Sequence, residues 1–158
     1  MGYRSDVAYI VKFHHNSQPE KVFADYIAFQ DWVKNKHSVA YDVTDLATQK
    51  EVERLHTYED EANHIKWSGK ESLMMFQVDD VKWYESFGDV RWHTELLEKV
   101  KEYETGNYRF VRIGEDYNDV EVDERAKTYF EIWELLDIQR CVTVSVPHDE
   151  FDKEKDDE

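Results

Sequence analysis

The run Val7-Ala8-Tyr9-Ile10-Val11-Lys12-Phe13 is apolar and β-branched over the length of a strand, and it predicts a strand buried on at least one face. The period then changes. Ser17-Gln18-Pro19-Glu20 has the spacing of a capping box with proline in the first turn, and Val22, Tyr26, Phe29 and Val33 follow at helical intervals. A helix from Pro19 to Lys36 is expected. Phe23, Ile27 and Trp32 widen its apolar stripe, so the helix should lie across a sheet.

From His37 to Glu61 the pattern weakens, and Leu46, Val52 and Leu55 are sparse anchors for a short polar helix over Thr44–Leu55. His64–Trp67 and Ser72–Val78 flank Ser68-Gly69-Lys70-Glu71 as the two arms of a hairpin. Asp79-Asp80 should turn the chain into Val81-Lys82-Trp83-Tyr84. Gly88-Asp89 introduces a second helix with the face Trp92, Leu96, Val100 and Tyr103, and Gly106 stands where a helix would stop. Tyr108–Ile113, Tyr129–Leu136 and Ile138–Val146 read as strands, the last two pairing as neighbours. This order predicts an α+β fold: a mainly antiparallel sheet with two principal helices packed on one face.

Composition bounds the number of domains and the partners. At 158 residues and 41% hydrophobic content the chain can fill one core, so a single domain over residues 1–148 is expected. Five Trp, ten Tyr and eight Phe are far more aromatic surface than a disordered chain carries. Only Asp149–Glu158, with seven acids, two lysines and Phe151, has the composition of an acidic, disordered tail. Cys141 is the single cysteine and fits a reducing compartment, and Met1–Asp6 lacks the apolar core of a signal peptide. A cytoplasmic protein is expected.

A formal charge of −16 repels phosphates and anionic lipid, which argues against direct binding of nucleic acid or membrane. The charge is uneven: 0 over residues 1–50, −6 over 51–100 and −10 over 101–158. Glu115-Asp116-Tyr117-Asn118-Asp119-Val120-Glu121-Val122-Asp123-Glu124 holds six carboxylates and no base. Three readings compete: a solvated loop, a calcium loop, and an imitation of a nucleic-acid backbone aimed at a basic protein cleft. Asp116, Asn118 and Glu121 are spaced somewhat like calcium ligands, but Val120 takes a ligand position and the turn glycine is missing.

Catalytic motifs are sparse. His14 and His15 are adjacent and point apart on a strand, and no zinc, phosphate-loop, dinucleotide or nucleophile-elbow spacing occurs. Cys141 lies in a β-branched run, as a small buried hydrophobe does. No cofactor and no metal site is expected. Trp92 reads as core, whereas Trp83 and Tyr84 are either core residues or aromatic anchors for a partner.

Gly2-Tyr3-Arg4-Ser5-Asp6-Val7, Val81-Lys82-Trp83-Tyr84 and Phe110-Val111-Arg112-Ile113-Gly114-Glu115-Asp116-Tyr117-Asn118-Asp119-Val120-Glu121 together resemble a family of small proteins encoded by bacteriophages and prophages. Relative to that pattern, Val39–Glu61 and the acidic tail are additions. The resemblance implies a phage accessory product that acts by binding a host protein, and it carries over no catalytic residue. The expected function is therefore non-enzymatic. An acidic protein would bind and inhibit a host nucleic-acid-handling protein of defence or transcription at its basic surface, through mimicry of nucleic acid. The candidate binding residues are Glu115, Asp116, Tyr117, Asp119, Glu121, Asp123, Glu124, Trp83 and Tyr84. The alternatives are a small metal-dependent nuclease or hydrolase using clustered carboxylates, and a structural or assembly module.

Overall fold

The computed structural model describes residues 3–40, 65–84, 88–138 and 142–152. The expected helix at Thr44–Leu55 and the cysteine at position 141 lie outside them. Strand β1 (Ser5–Phe13) is followed by helix α1 (Pro19–Ala40), the hairpin β2 (Ile65–Ser68) and β3 (Leu73–Val81), and helix α2 (Gly88–Val100). Then come β4 (Gly106–Gly114), β5 (Val120–Arg125), a 3-10 turn at Ile132–Glu134, β6 (Leu136–Ile138), β7 (Val142–Val144) and a 3-10 turn at His148–Glu150. The five-stranded sheet is antiparallel throughout, in the order β2-β3-β1-β4-β5, and β6 pairs with β7 in a separate ribbon. The α+β class, with two helices among the described residues, is as the hydrophobic pattern predicts.

Central β1 is buried on both faces. Val7, Tyr9, Val11 and Phe13 meet Tyr26, Phe29 and Val33 of α1 and Trp92, Leu96, Leu97 and Val100 of α2. Ala8 and Ile10 point to the opposite face with Leu73, Met75, Val111 and Ile113, under Ile132 and Leu136. Alternation along a strand explains this partition, and it makes the fold three layers deep: helices, sheet, and a thin cover of turn and ribbon.

Three local expectations change. Tyr129–Leu136 is not a strand. Its apolar residues do not alternate, and the 3-10 turn that forms instead buries Ile132 while Phe130 and Trp133 stay exposed. Gly106 does not end α2, which stops at Val100; it opens β4. A Cβ there would sit 2.6 Å from the Val100 carbonyl oxygen, so the close approach of the two backbones requires glycine. Asp79-Asp80 does not turn the chain out of the sheet. Ser5 pairs with Val81 and Val7 with Val78, so two residues of β3 oppose Asp6 in a β-bulge, with Asp80 at φ 56. The Asp6 carboxylate accepts the Asp80 N–H at 2.9 Å.

Two polar ties hold the cover layer down. Asn107 is fully buried, and its side-chain amide nitrogen shares two N–H groups among the carbonyls of Lys12 and Thr105, each at 3.0 Å, and the Thr128 hydroxyl at 2.7 Å. Its oxygen accepts the N–H groups of Thr128 (2.8 Å) and Tyr129 (3.1 Å), which fixes where the chain leaves β5. The second tie lies in the segment read as tail. Phe151 is half-buried against the cover-side cluster, and the Asp152 N–H donates to the Trp67 carbonyl at 2.7 Å. The Asp152 carboxylate accepts the Gly69 N–H at 3.2 Å. The ordered domain thus continues past position 148, to Asp152 among the described residues.

Candidate functional site

The acidic segment is not one loop. Residues 115–119 form the turn of the β4–β5 hairpin, closed by Gly114 N–H to the Asp119 carbonyl (2.8 Å) and Asp119 N–H to the Asp116 carbonyl (3.0 Å). Val120–Glu124 belong to β5, paired residue for residue with β4. Alternation in Val120-Glu121-Val122-Asp123 explains the strand.

At the turn, Asp119 is the centre of a knot. Arg112 on β4 grips its carboxylate with two nitrogens, at 2.8 and 3.1 Å, and the Tyr3 hydroxyl donates to it at 2.6 Å. The Arg112 guanidinium, followed by the Tyr3 hydroxyl, lowers the Asp119 carboxyl to a pKa of about 2. The same hydrogen bond to Asp119 raises the Tyr3 phenol. Tyr3 in turn accepts the Asp116 N–H at 3.0 Å and donates its own N–H to the Tyr84 hydroxyl at 2.8 Å. Arg4 N–H donates to the Glu115 carboxylate at 2.7 Å. Gly114 makes room for this arrangement, because a Cβ there would fall on the Asp119 carboxylate and the Tyr3 hydroxyl.

The three arginines of the hairpin turn inward. Arg112 holds Asp119, Arg109 holds Glu124 (2.9 Å) and the Leu136 carbonyl (3.1 Å), and Arg125 reaches the Val100 carbonyl at the end of α2 (3.1 Å). The bases absent from the segment itself lie across the ladder on β4, as Arg109 and Arg112. The remaining carboxylates keep their charge for solvent. Glu115 and Asp116 are exposed on the turn, and Asp123 is exposed while accepting a hydrogen bond from the Tyr108 hydroxyl at 3.0 Å. Glu121 comes only within 3.8 Å of Arg112.

The structure brings Glu115, Asp116, Tyr117, Asp119, Glu121, Asp123 and Glu124 together on this hairpin, and Tyr117 is exposed at its turn. Trp83 stands apart. Its ring lies 5.6 Å from His93, 6.1 Å from Phe110 and 6.3 Å from Phe76, so it extends the helix-side core rather than standing out as an anchor. Tyr84 holds the N-terminal strand through Tyr3. The exposed apolar side chains that the sequence reading missed are Val120 (44%), Val122 (46%), Phe130 (76%) and Trp133 (55%), and Phe23 (56%), expected in the apolar stripe of α1, also faces solvent. Period-two spacing could have revealed the valines, and the flanking Glu131 and Glu134 mark Trp133 as solvent-facing.

Elsewhere, a cleft of about 290 Å³ is lined by Lys12, Glu71, Tyr129, Ser145 and Glu150 among apolar neighbours. Its cation is already engaged: the Lys12 ammonium meets the Glu71 carboxylate at 3.3 Å and lies over the Tyr129 ring. Among the described residues no three His, Cys, Asp or Glu side chains converge as metal ligands, and no helix is long and apolar enough to cross a membrane. No protein-family model, curated protein or solved structure matches this chain.

Proposed function

We propose that this is a non-enzymatic binding protein, a phage accessory product that occupies the basic surface of a host nucleic-acid-handling protein of defence or transcription and inhibits it. The observation that carries this reading is the division of charge on the β4–β5 hairpin: arginines turn inward, while Glu115, Asp116, Glu121 and Asp123 line an outer rim. Such carboxylates fan out along an edge rather than converging in a concave pocket, which suits recognition better than metal-assisted hydrolysis. Mimicry here is partial. Successive same-face carboxylates on a strand are about 6.8 Å apart, against one phosphate charge per ~1.7 Å of duplex. The rim therefore competes with nucleic acid through local charge and shape together.

Crosslinking in a host lysate, with identification of the captured protein by mass spectrometry, supplies the partner for the test. Binding is then measured against a duplex competitor at low and high salt, for wild type and for Asp116→Asn, Glu121→Gln and Asp123→Asn combined. Neutralisation should slow association about tenfold at low salt and flatten its salt dependence, because rim charges act through steering. A complex that accepts duplex at full occupancy, or association unchanged by the triple substitution, would remove the reading.

A further inference from the structure

We propose that the partner docks by adding an extended basic segment to the sheet as a new strand along β5. This rests on the reading of the hairpin rim as a surface for a basic partner, and it specifies how that partner is held. β5 is the terminal strand of the sheet, six residues long and in unbroken register with β4 from Val120 to Arg125. Antiparallel pairs alternate between hydrogen-bonded and non-hydrogen-bonded. Because Gly114 donates to Asp119, the bonded pairs are Arg112 with Glu121 and Phe110 with Asp123. The N–H and C=O groups of Val122 and Glu124 therefore point away from β4. The opposite edge of the sheet differs: on β2 the Trp67 carbonyl already accepts the Asp152 N–H, so the chain's own last described residues cover it. Among the described residues one edge is met by the chain itself and the other is open, and an open, regular edge is a template for strand addition.

Side chains select the occupant. Glu121 and Asp123 lie on the helix-side face, opposite Arg112 and Phe110. Val120 and Val122 lie on the other face, opposite Ile113 and Val111, where the 3-10 turn carrying exposed Trp133 packs through Ile132. A strand that alternates Lys or Arg with Val, Ile or Leu would set cations beside Glu121 and Asp123 and apolar side chains beside the valines. A second copy of β5 would instead place acids against acids, which like-charge repulsion across strands disfavours. The occupant is thus a basic, amphipathic, extended segment of another protein.

The test uses blocked synthetic peptides and the intact protein. An alternating Lys-Val peptide should bind, with amide shifts or protection concentrated at Val122 and Glu124. A peptide of the same composition with the alternation scrambled should bind at least about tenfold more weakly, and N-methylation of alternate amides on the ladder-facing side should cost a similar factor while leaving charge untouched. Val122→Pro on the protein removes an outward N–H that β4 does not use, a position where edge strands tolerate proline. It should abolish peptide binding with the far-ultraviolet circular dichroism unchanged; the methylated peptide gives the same information without any variant. Equal binding of scrambled, methylated and alternating peptides would overturn strand addition and leave the charged-rim function standing. No binding of any cationic peptide would overturn both.

Discussion

Asn107→Asp changes one buried atom from a donor to an acceptor and leaves the shape intact. In the wild type the amide nitrogen satisfies the carbonyls of Lys12 and Thr105 and meets the Thr128 hydroxyl. A hydroxyl can rotate to donate, so the Thr128 contact survives the substitution. The two carbonyls cannot, and each then faces a carboxylate oxygen at about the 3.0 Å now separating it from nitrogen. The Thr105 carbonyl keeps its bond from the His14 N–H at 2.9 Å, so the cost is two lost buried hydrogen bonds with oxygen set against oxygen, about 1–2 kcal/mol each and about 2–4 kcal/mol together. For a domain of this size that is a drop in Tm of about 5–15 °C. Urea unfolding followed by tryptophan fluorescence should show a lower midpoint with an unchanged slope. The pH dependence is a second readout. Neighbouring carbonyl oxygens favour the protonated acid, which can still donate once, so its folded pKa is raised. The deficit should be smallest below the ordinary Asp range and grow as pH rises through the raised value. A loss below about 0.5 kcal/mol, or one independent of pH, would refute the claim that this amide anchors the cover layer.

Two further outcomes follow from the hairpin and the C-terminal segment. Because the Asp119 carboxyl is lowered to about 2 by Arg112 and Tyr3, the stability it contributes is fully present above the ordinary value of 3.8 and fades as pH falls towards 2. Asp119→Asn should remove that dependence and speed hydrogen exchange at Tyr3 and Asp116, and equal exchange in the two proteins would count against the knot. Ending the chain after Ser145 discards Phe151 and the Asp152 contacts to Trp67 and Gly69, so it should cost about 1–3 kcal/mol in urea unfolding. Unchanged stability would show those contacts to be incidental.

Hydrophobic period exposed most of the framework. Tyr26, Phe29 and Val33 on α1, and Trp92, Leu96 and Val100 on α2, are buried as their spacing requires. Residues whose role depends on distant partners were illegible. Asp119 looks like any member of an acid run until Arg112 lies across the ladder, and Asp152 looks like tail until it meets Trp67. The acidic run itself misled through composition, because its charge hid the alternation of Val120 and Val122. Trp83 could not be assigned from its neighbours in sequence, since its burial comes from Phe76, His93 and Phe110.

Because β1 is the middle strand of the sheet yet the first in the chain, the order of assembly runs against the order of synthesis. Val11 pairs with Met74 on one side and Tyr108 on the other, both far along the sequence. The hairpins β2–β3 and β4–β5 close from local contacts within about 1–10 μs, whereas seating β1 between them must wait for two long loops to close. A nascent chain cannot flank β1 on both sides until residues through Gly114 have emerged; before β3 is complete at Val81 the run from Val7 to Phe13 has no strand partner, and from there to Gly114 it has one. Refolding from denaturant should accordingly be slower than hairpin formation by orders of magnitude and increasingly diverted to aggregates as protein concentration rises.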